Sequence, residues 1–304
     1  MKIPYRAILI PALAISAVAD DAPFQARGFL LKKSGELQKI WLVSVKGNLI
    51  RYRNAKTSKV ILETPVSEAA AIHIDEPPKF TVAMDLYQSN RFSEAKLKFI
   101  EVKEHFKPID GLENNPSSLA AFYEMECLRR LGDLEGLAAA RQNFNKEPLT
   151  REYQLRQLEI DGVWDAVRTK SWDHVVKSAN EWVDKRLPGD QRAQIAYCDG
   201  LALEALEHSA DALLAYHIAV TAGTAASAEI ARLAALHILG IHNADLGVQA
   251  AMKLWCKEDE DKASRGDRDL REAVAIACLY ELSLGDGSPL PIEFRHFLQY
   301  QARP

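Results

Sequence analysis

The side chains that could carry out catalysis or hold a metal are histidines, a serine and carboxylates, and their spacing supports neither chemistry. His237 and His242 lie five positions apart, so one helix cannot present both on the same face. No HExxH segment or ordered carboxylate set accompanies them, as a zinc site would require. Ser209 follows His208 directly, and adjacent residues at a helix start point apart, so the two cannot pair as nucleophile and base.

Other catalytic and redox patterns are also missing from the sequence. The chain has no GxSxG, GxGxxG or P-loop pattern. Its four cysteines form no CxxC and no zinc spacing, so we expect free thiols in helices. We therefore predict that the protein is not an enzyme and has no catalytic residues, no metal and no cofactor.

Positive charge is concentrated near the N-terminus. Residues 24–60 contain nine lysines and arginines and a single acid, Glu36, whereas residues 61–304 contain 27 basic and 39 acidic residues. Within the basic segment, Lys39, Arg51 and Arg53 accompany Trp41 and Tyr52. Such a surface could bind an anionic envelope polymer or lipid headgroups. Alternatively, it could dock on the acidic remainder of the same chain, because the two charges are complementary.

The N-terminus has the pattern of a secretory signal peptide over residues 1–19. Lys2 and Arg6 precede an apolar run at residues 7–15 that is too short to span a bilayer comfortably. Residues 17–19 fit the small-x-small cleavage rule, so the mature chain is expected to begin at Asp20. We predict export to the periplasm or cell surface of a bacterium, with no transmembrane segment in the mature chain and no nucleic-acid partner. The alternative is a cytosolic protein with an apolar first helix.

Residues 20–76 are predicted to form a small basic β-module. Residues 40–45 are β-branched and aromatic, and residues 49–53 alternate apolar and basic side chains. Lys46-Gly47-Asn48 between them is a hairpin signal. We expect a β meander of four or five strands, or an SH3-like or Sm-like barrel. Two prolines at positions 77 and 78 end the last strand and allow a helical domain over residues 77–304.

A repeated pair of helices organises this second domain. In residues 200–219, Gly200 and Ala212 are small enough to let two helices cross closely, and Tyr216 can wedge beside the crossing. Corresponding anchor positions recur along the chain at intervals of 42, 38, 37 and 36 residues. The anchors, in chain order, are Ala95, Leu137, Val175, Ala212 and Val248. Such a period indicates stacked helical hairpins.

The units resemble the tetratricopeptide repeat, a helix pair with small residues and an aromatic at fixed places. Two units carry the resemblance best, through Ala83, Ala95, Phe99 and Pro108 in the first and Gly200, Ala212, Tyr216 and Ala219 in the fourth. The resemblance covers residues 79–304 and implies a mostly α fold, an α-solenoid of about six stacked hairpins. It also implies a protein–protein interaction scaffold or adaptor that binds a protein or peptide partner on its concave face.

Helix phase suggests which side chains would line that face. They are Tyr123, Arg130, Gln157, Tyr197, Glu204 and Arg232. Two alternatives remain open: a structural subunit of an envelope assembly, or a cell-envelope hydrolase with its site where the β-module meets the solenoid. An exposed apolar patch on the last helix would favour assembly. The residues that would form this patch are Phe294, Phe297, Leu298 and Tyr300.

Overall fold

A small antiparallel sheet followed by a long series of helices makes up the fold, in the order that the sequence predicts. The computed structural model describes residues 24–255, 264–285 and 287–301. The predicted signal peptide and Cys256 lie outside the described residues. Within those ranges, none of the helices combines the length and apolarity needed to cross a bilayer.

The chain divides into two compact units. The first ends at Asp75 and also includes His105–Leu112, and the second consists of Glu76–Glu104 and the chain from Glu113 onward. The division at Asp75 lies next to the predicted boundary at residue 76. Nothing in the sequence pattern points to the grouping of His105–Leu112 with the sheet, because that segment continues a helical stretch.

Five strands form the sheet of the first unit. They are Ala26–Lys32 (β1), Leu37–Lys46 (β2), Leu49–Arg53 (β3), Leu62–Pro65 (β4) and Ala69–Ile74 (β5). All pairs are antiparallel, in the order β4-β3-β2-β1-β5. The first four strands are therefore a meander, and β5 returns to pair with β1. The predicted alternative of an SH3-like or Sm-like barrel is wrong for the described strands, because β4 and β5 remain at opposite edges and do not close the sheet.

One face of the sheet is apolar and buried. Leu30, Ile40, Leu42 and Ile50 are fully buried on this face, as the period of two along a strand requires. The 3-10 segment Lys107–Ile109 packs against β2. Gly28 allows β5 to approach β1 closely, because a β-carbon there would collide with the backbone oxygen of His73.

Eleven α-helices follow the sheet within the described ranges, together with a π-helical turn, Tyr280–Leu284, and a 3-10 helix, Ile292–Tyr300. All of them belong to the second unit except the last two residues of α2. The α-helices are Pro78–Gln88 (α1), Phe92–Phe106 (α2), Pro116–Arg130 (α3), Leu134–Gln142 (α4), Glu152–Arg168 (α5), Trp172–Asn180 (α6), Gly189–Ala205 (α7), Ser209–Gly223 (α8), Ala228–Ala244 (α9), Leu246–Leu254 (α10) and Ser264–Leu279 (α11). Side-chain caps begin several of them: Asn115, Asp133 and Asp245 accept backbone N–H groups of α3, α4 and α10.

The helices pack in chain order as pairs. From α3 to α11 each helix contacts the next, and α5, α7, α9 and α11 also contact one another in sequence. We call the first helices of the successive pairs, α3, α5, α7 and α9, the first-helix wall. The residues predicted to allow close packing are all buried. They are Ala83, Ala95, Phe99, Gly200, Ala212, Tyr216 and Ala219.

Candidate functional site

The six side chains predicted to line a concave face all belong to the first-helix wall, but they differ in how accessible they are. Gln157 and Tyr197 are buried, whereas Tyr123, Arg130, Glu204 and Arg232 are partly exposed. The middle of the wall is occupied by a buried polar network that the sequence did not reveal.

A buried ion pair on α3 forms one part of this network. Arg129 donates to Glu126 through Nη2 at 3.1 Å, and their side chains are only 1% and 4% exposed. Tyr87 of α1 donates to the same carboxylate at 3.3 Å. Burial alone would lower the pKa of the Arg129 guanidinium, but Glu126 and Glu229 outweigh it and raise that pKa. Arg129 therefore stays charged inside the protein.

Glu229 joins the two ends of the wall. It lies in the first turn of α9, and it accepts hydrogen bonds from Arg129 at 3.4 Å and from Arg130 at 2.5 Å, at the end of α3. These residues are about a hundred positions apart in the chain. The ion pairs therefore span the wall from its first helix to its fourth, and Arg130 is engaged within the chain.

Gln157 belongs to a buried amide cluster between α5 and α7. Its Nε2 donates to Asp161 at 3.0 Å and to Gln194 at 2.9 Å, and Trp164 Nε1 donates to the same Gln194 oxygen at 3.1 Å. Burial raises the pKa of Asp161 to about 7, and the charge of Glu126 contributes further. Gln157 is thus part of the interior.

Glu204 is the centre of an accessible polar cluster. Its carboxylate accepts from the Tyr216 hydroxyl at 2.6 Å and lies 2.8 Å from Nδ1 of His237 on α9. The Tyr216 and His237 rings stack with centroids 4.9 Å apart, and the Tyr197 hydroxyl lies 3.4 Å from His237 Nε2. The side chains of Glu204 and His237 are 39% and 33% exposed, so these two members of the cluster reach solvent, whereas the two tyrosines are buried.

The remaining predicted wall residues lie at its two ends. Tyr123 packs in an aromatic group and stacks on Phe99 with ring centroids 5.4 Å apart. It also meets Phe80, Tyr87 and Phe122 edge to face. Arg232 is partly exposed on α9 and has no ion pair among the residues that the structure describes. Tyr123 is therefore mainly a packing residue, whereas Arg232 offers a cation to solvent.

A second histidine cluster joins three helices of the second unit. Glu272 of α11 lies 2.5 Å from His217 Nε2 and 3.1 Å from His242 Nε2. Burial would raise the pKa of Glu272, but the hydrogen bonds from the two histidines outweigh it and lower that pKa. Sequence spacing could not reveal this cluster. In the described part of the chain, no group of three or more histidine, cysteine or acidic side chains is placed to hold a metal ion.

The basic residues predicted on the β-module lie on the face of the sheet opposite its buried side, which we call the outer face. The strand registers place these side chains on it: Arg27, Phe29, Lys39, Trp41, Arg51, Arg53, Glu63 and His73. Tyr52 was expected to accompany Trp41 and the arginines, but it is buried on the apolar face. Adjacent strand residues point to opposite sides, and Tyr52 is only 3% exposed.

Known proteins do not supply a family for this arrangement. No protein-family model matches the chain, and no curated protein or solved structure is significantly similar to it.

Proposed function

We propose that the protein is a non-enzymatic interaction scaffold of the bacterial cell envelope, and that its helical unit is a solenoid of tetratricopeptide type. The observation that carries this proposal is the continuous contact of α5, α7, α9 and α11 along one side of the unit. Helices stacked in this way form a wall, and a protein partner can bind to the part of it that is accessible.

The local packing supports the tetratricopeptide assignment. At the crossing of α7 and α8, Gly200 lies against the ring of Tyr216, while Ala212 and Ala219 are fully buried on α8. A small residue on the first helix and an aromatic on the second are what the repeat's consensus requires at these places.

The accessible part of the wall defines where a partner would bind. Glu204, His237 and Arg232 are partly exposed on α7 and α9, whereas Arg130 and Gln157 are engaged by other side chains of the protein. We therefore propose that a protein or peptide partner contacts the α7–α9 part of the wall, through side chains of both charges.

The alternative of a structural subunit receives less support. The aromatic residues of the terminal 3-10 helix, Ile292–Tyr300, were the expected assembly surface, but Phe297 is fully buried. Phe294, Leu298 and Tyr300 are partly buried against the hydrophobic core. These side chains stabilise the unit, so they do not form a free apolar patch.

Affinity capture with matched charge reversals tests the scaffold proposal. The baits are the mature chain, residues 20–304, its Arg232→Glu variant and its Arg192→Glu variant, with partners from the native envelope quantified by mass spectrometry. Arg192 is an exposed residue of α7 that lines an open pocket with Ile218 and Thr221 of α8, and not with residues of α9. A partner that contacts the α7–α9 wall should be lost with Arg232→Glu and retained with Arg192→Glu. Equal retention by all three baits, or no retained partner, would count against the proposal.

A further inference from the structure

The outer face of the sheet carries a combination of aromatic rings and cations that the proposed scaffold function does not use. Trp41 lies at the centre of a cross-strand row, with Arg27 directly opposite on β1 and Arg53 directly opposite on β3. Side chains that pair in this way lie within roughly 4.5–5.5 Å of each other at their β-carbons. The row is therefore one aromatic ring flanked by two guanidinium groups.

A second row lies beside the first. Phe29 of β1 is opposite Lys39 of β2 and His73 of β5, and its ring is inclined by 29° to the His73 ring, with the two centroids 6.4 Å apart. Lys39 Nζ also lies 5.3 Å from the centroid of Trp41. The two rows together form an aromatic platform with positive charge along its length.

Carboxylates neutralise only part of that charge. Arg27 pairs with Asp75 at 2.9 Å, and Arg51 pairs with Glu63 at 3.0 Å. Lys39, two positions before Trp41 on β2, and Arg53, opposite Trp41 on β3, have no carboxylate partner among the residues described. The exposed Lys56 and Lys59 follow Arg53 in the next loop and extend the positive region. Two of the cations that adjoin Trp41, Lys39 and Arg53, are therefore not neutralised by a carboxylate of the described residues.

We propose that the outer face binds an acidic polysaccharide. One sugar ring would stack on Trp41 and displace the Lys39 ammonium group that lies over the ring. The carboxylate groups of that sugar and its neighbour would then pair with Lys39 and Arg53. A stacked ring supplies apolar contact without hydrogen-bond specificity, and the cations select for negative charge. The positive charge of the face favours an anionic polymer. Residues 1–19 predict that the protein is exported, which favours a polysaccharide over nucleic acid as that polymer.

Binding of the mature chain to polygalacturonate tests this inference, with neutral dextran, oligothymidylate and anionic lipid vesicles as comparison ligands. The platform variants are Trp41→Leu, which keeps apolar bulk, and the double variant Lys39→Ala/Arg53→Ala. The control is Lys33→Ala/Lys146→Ala, which removes two exposed lysines that lie outside the strands of the sheet. Circular dichroism establishes that each variant is folded.

We expect polygalacturonate to bind and dextran not to bind. Each platform variant should weaken binding by about tenfold or more, which is the scale of a lost stacking or ionic contact, while the control binds like the wild type.

Four outcomes would overturn the inference. They are no binding to polygalacturonate, undiminished binding by Trp41→Leu, an equal loss in the control, and tighter binding of oligothymidylate or vesicles than of polygalacturonate. None of these outcomes depends on whether the helical unit binds a protein partner.

Discussion

A β-carbon added to Gly200 would lie 2.5 Å from the ring of Tyr216, closer than real side chains approach. Tyr216 is fully buried and its hydroxyl donates to Glu204, so the ring has little freedom to move away. The crossing of α7 and α8 therefore depends on the absence of a side chain at position 200. This single contact also supports the polar cluster on the wall, because the same tyrosine stacks on His237.

Replacing Gly200 with alanine should destabilise the protein. Overpacking a filled site costs about 1–3 kcal/mol, and the better helix propensity of alanine returns only about 1 kcal/mol. The matched control is Gly240→Ala in α9, where nothing lies within 4 Å of the added carbon. That change should stabilise the protein by up to about 1 kcal/mol. Urea unfolding of both variants measures the free energy of unfolding. If both substitutions raised it, or both lowered it, the tight crossing at Gly200 would be contradicted.

The buried ion pair on α3 should matter far more than an exposed pair of the same spacing. Glu126→Ala leaves the Arg129 guanidinium buried beside only the more distant Glu229, and we expect a loss of about 3–5 kcal/mol in the free energy of unfolding. Glu94→Ala removes the partner of Arg91, whose side chain is 57% exposed, and should cost far less, because water screens an exposed ion pair. Similar costs for the two variants, measured by denaturant unfolding, would show that the α3 pair is solvated in solution.

The order of the structural elements could be predicted because it depends on local patterns. Strand alternation, the prolines at positions 77 and 78 and the capping residue Asp133 are all read within a few residues. The union of His105–Leu112 with the sheet could not be predicted in this way, since it is a tertiary contact that leaves the helical pattern unchanged.

The candidate site shows the same limit more sharply. Helix phase placed Arg130 and Gln157 on the first-helix wall, but phase cannot tell whether another helix already engages a side chain. Arg130 meets Glu229 across 99 positions, and Gln157 meets Gln194 across 37. The cluster of His217, His242 and Glu272 likewise comes from three helices. Such groups form only when the helices pack, so their spacing in the sequence carries no signal.

The raised pKa of Asp161 should make the wild type lose stability as the pH rises. The folded carboxyl keeps its proton up to about pH 7, whereas the unfolded one has a pKa of about 3.9. Between these values the folded state binds more protons, so the free energy of unfolding should fall with pH. Asp161→Asn keeps an oxygen that can accept a hydrogen bond from Gln157, but its side chain cannot ionise. The fall of the free energy of unfolding with pH that Asp161 causes should therefore be absent from this variant. The free energy of unfolding measured from about pH 4 to pH 8 tests this, with Asp173→Asn, at an exposed position, as the control. If the free energy of Asp161→Asn changed with pH in the same way as that of the wild type, the prediction would be refuted.

Glu272 should show the opposite pH dependence, because its hydrogen bonds with His217 and His242 lower its folded pKa. A carboxylate of this kind stabilises the fold above its unfolded pKa of about 4.3, and this contribution is lost as the pH falls through the folded value. Glu272→Gln should therefore be less stable than the wild type near about pH 6, and the difference should shrink on acidification toward about pH 3. The exposed Glu293→Gln, on the terminal 3-10 helix, should follow the wild type throughout. Urea unfolding across this range measures both variants, and a Glu272→Gln deficit that is the same at every pH would show that the carboxylate acts by packing alone.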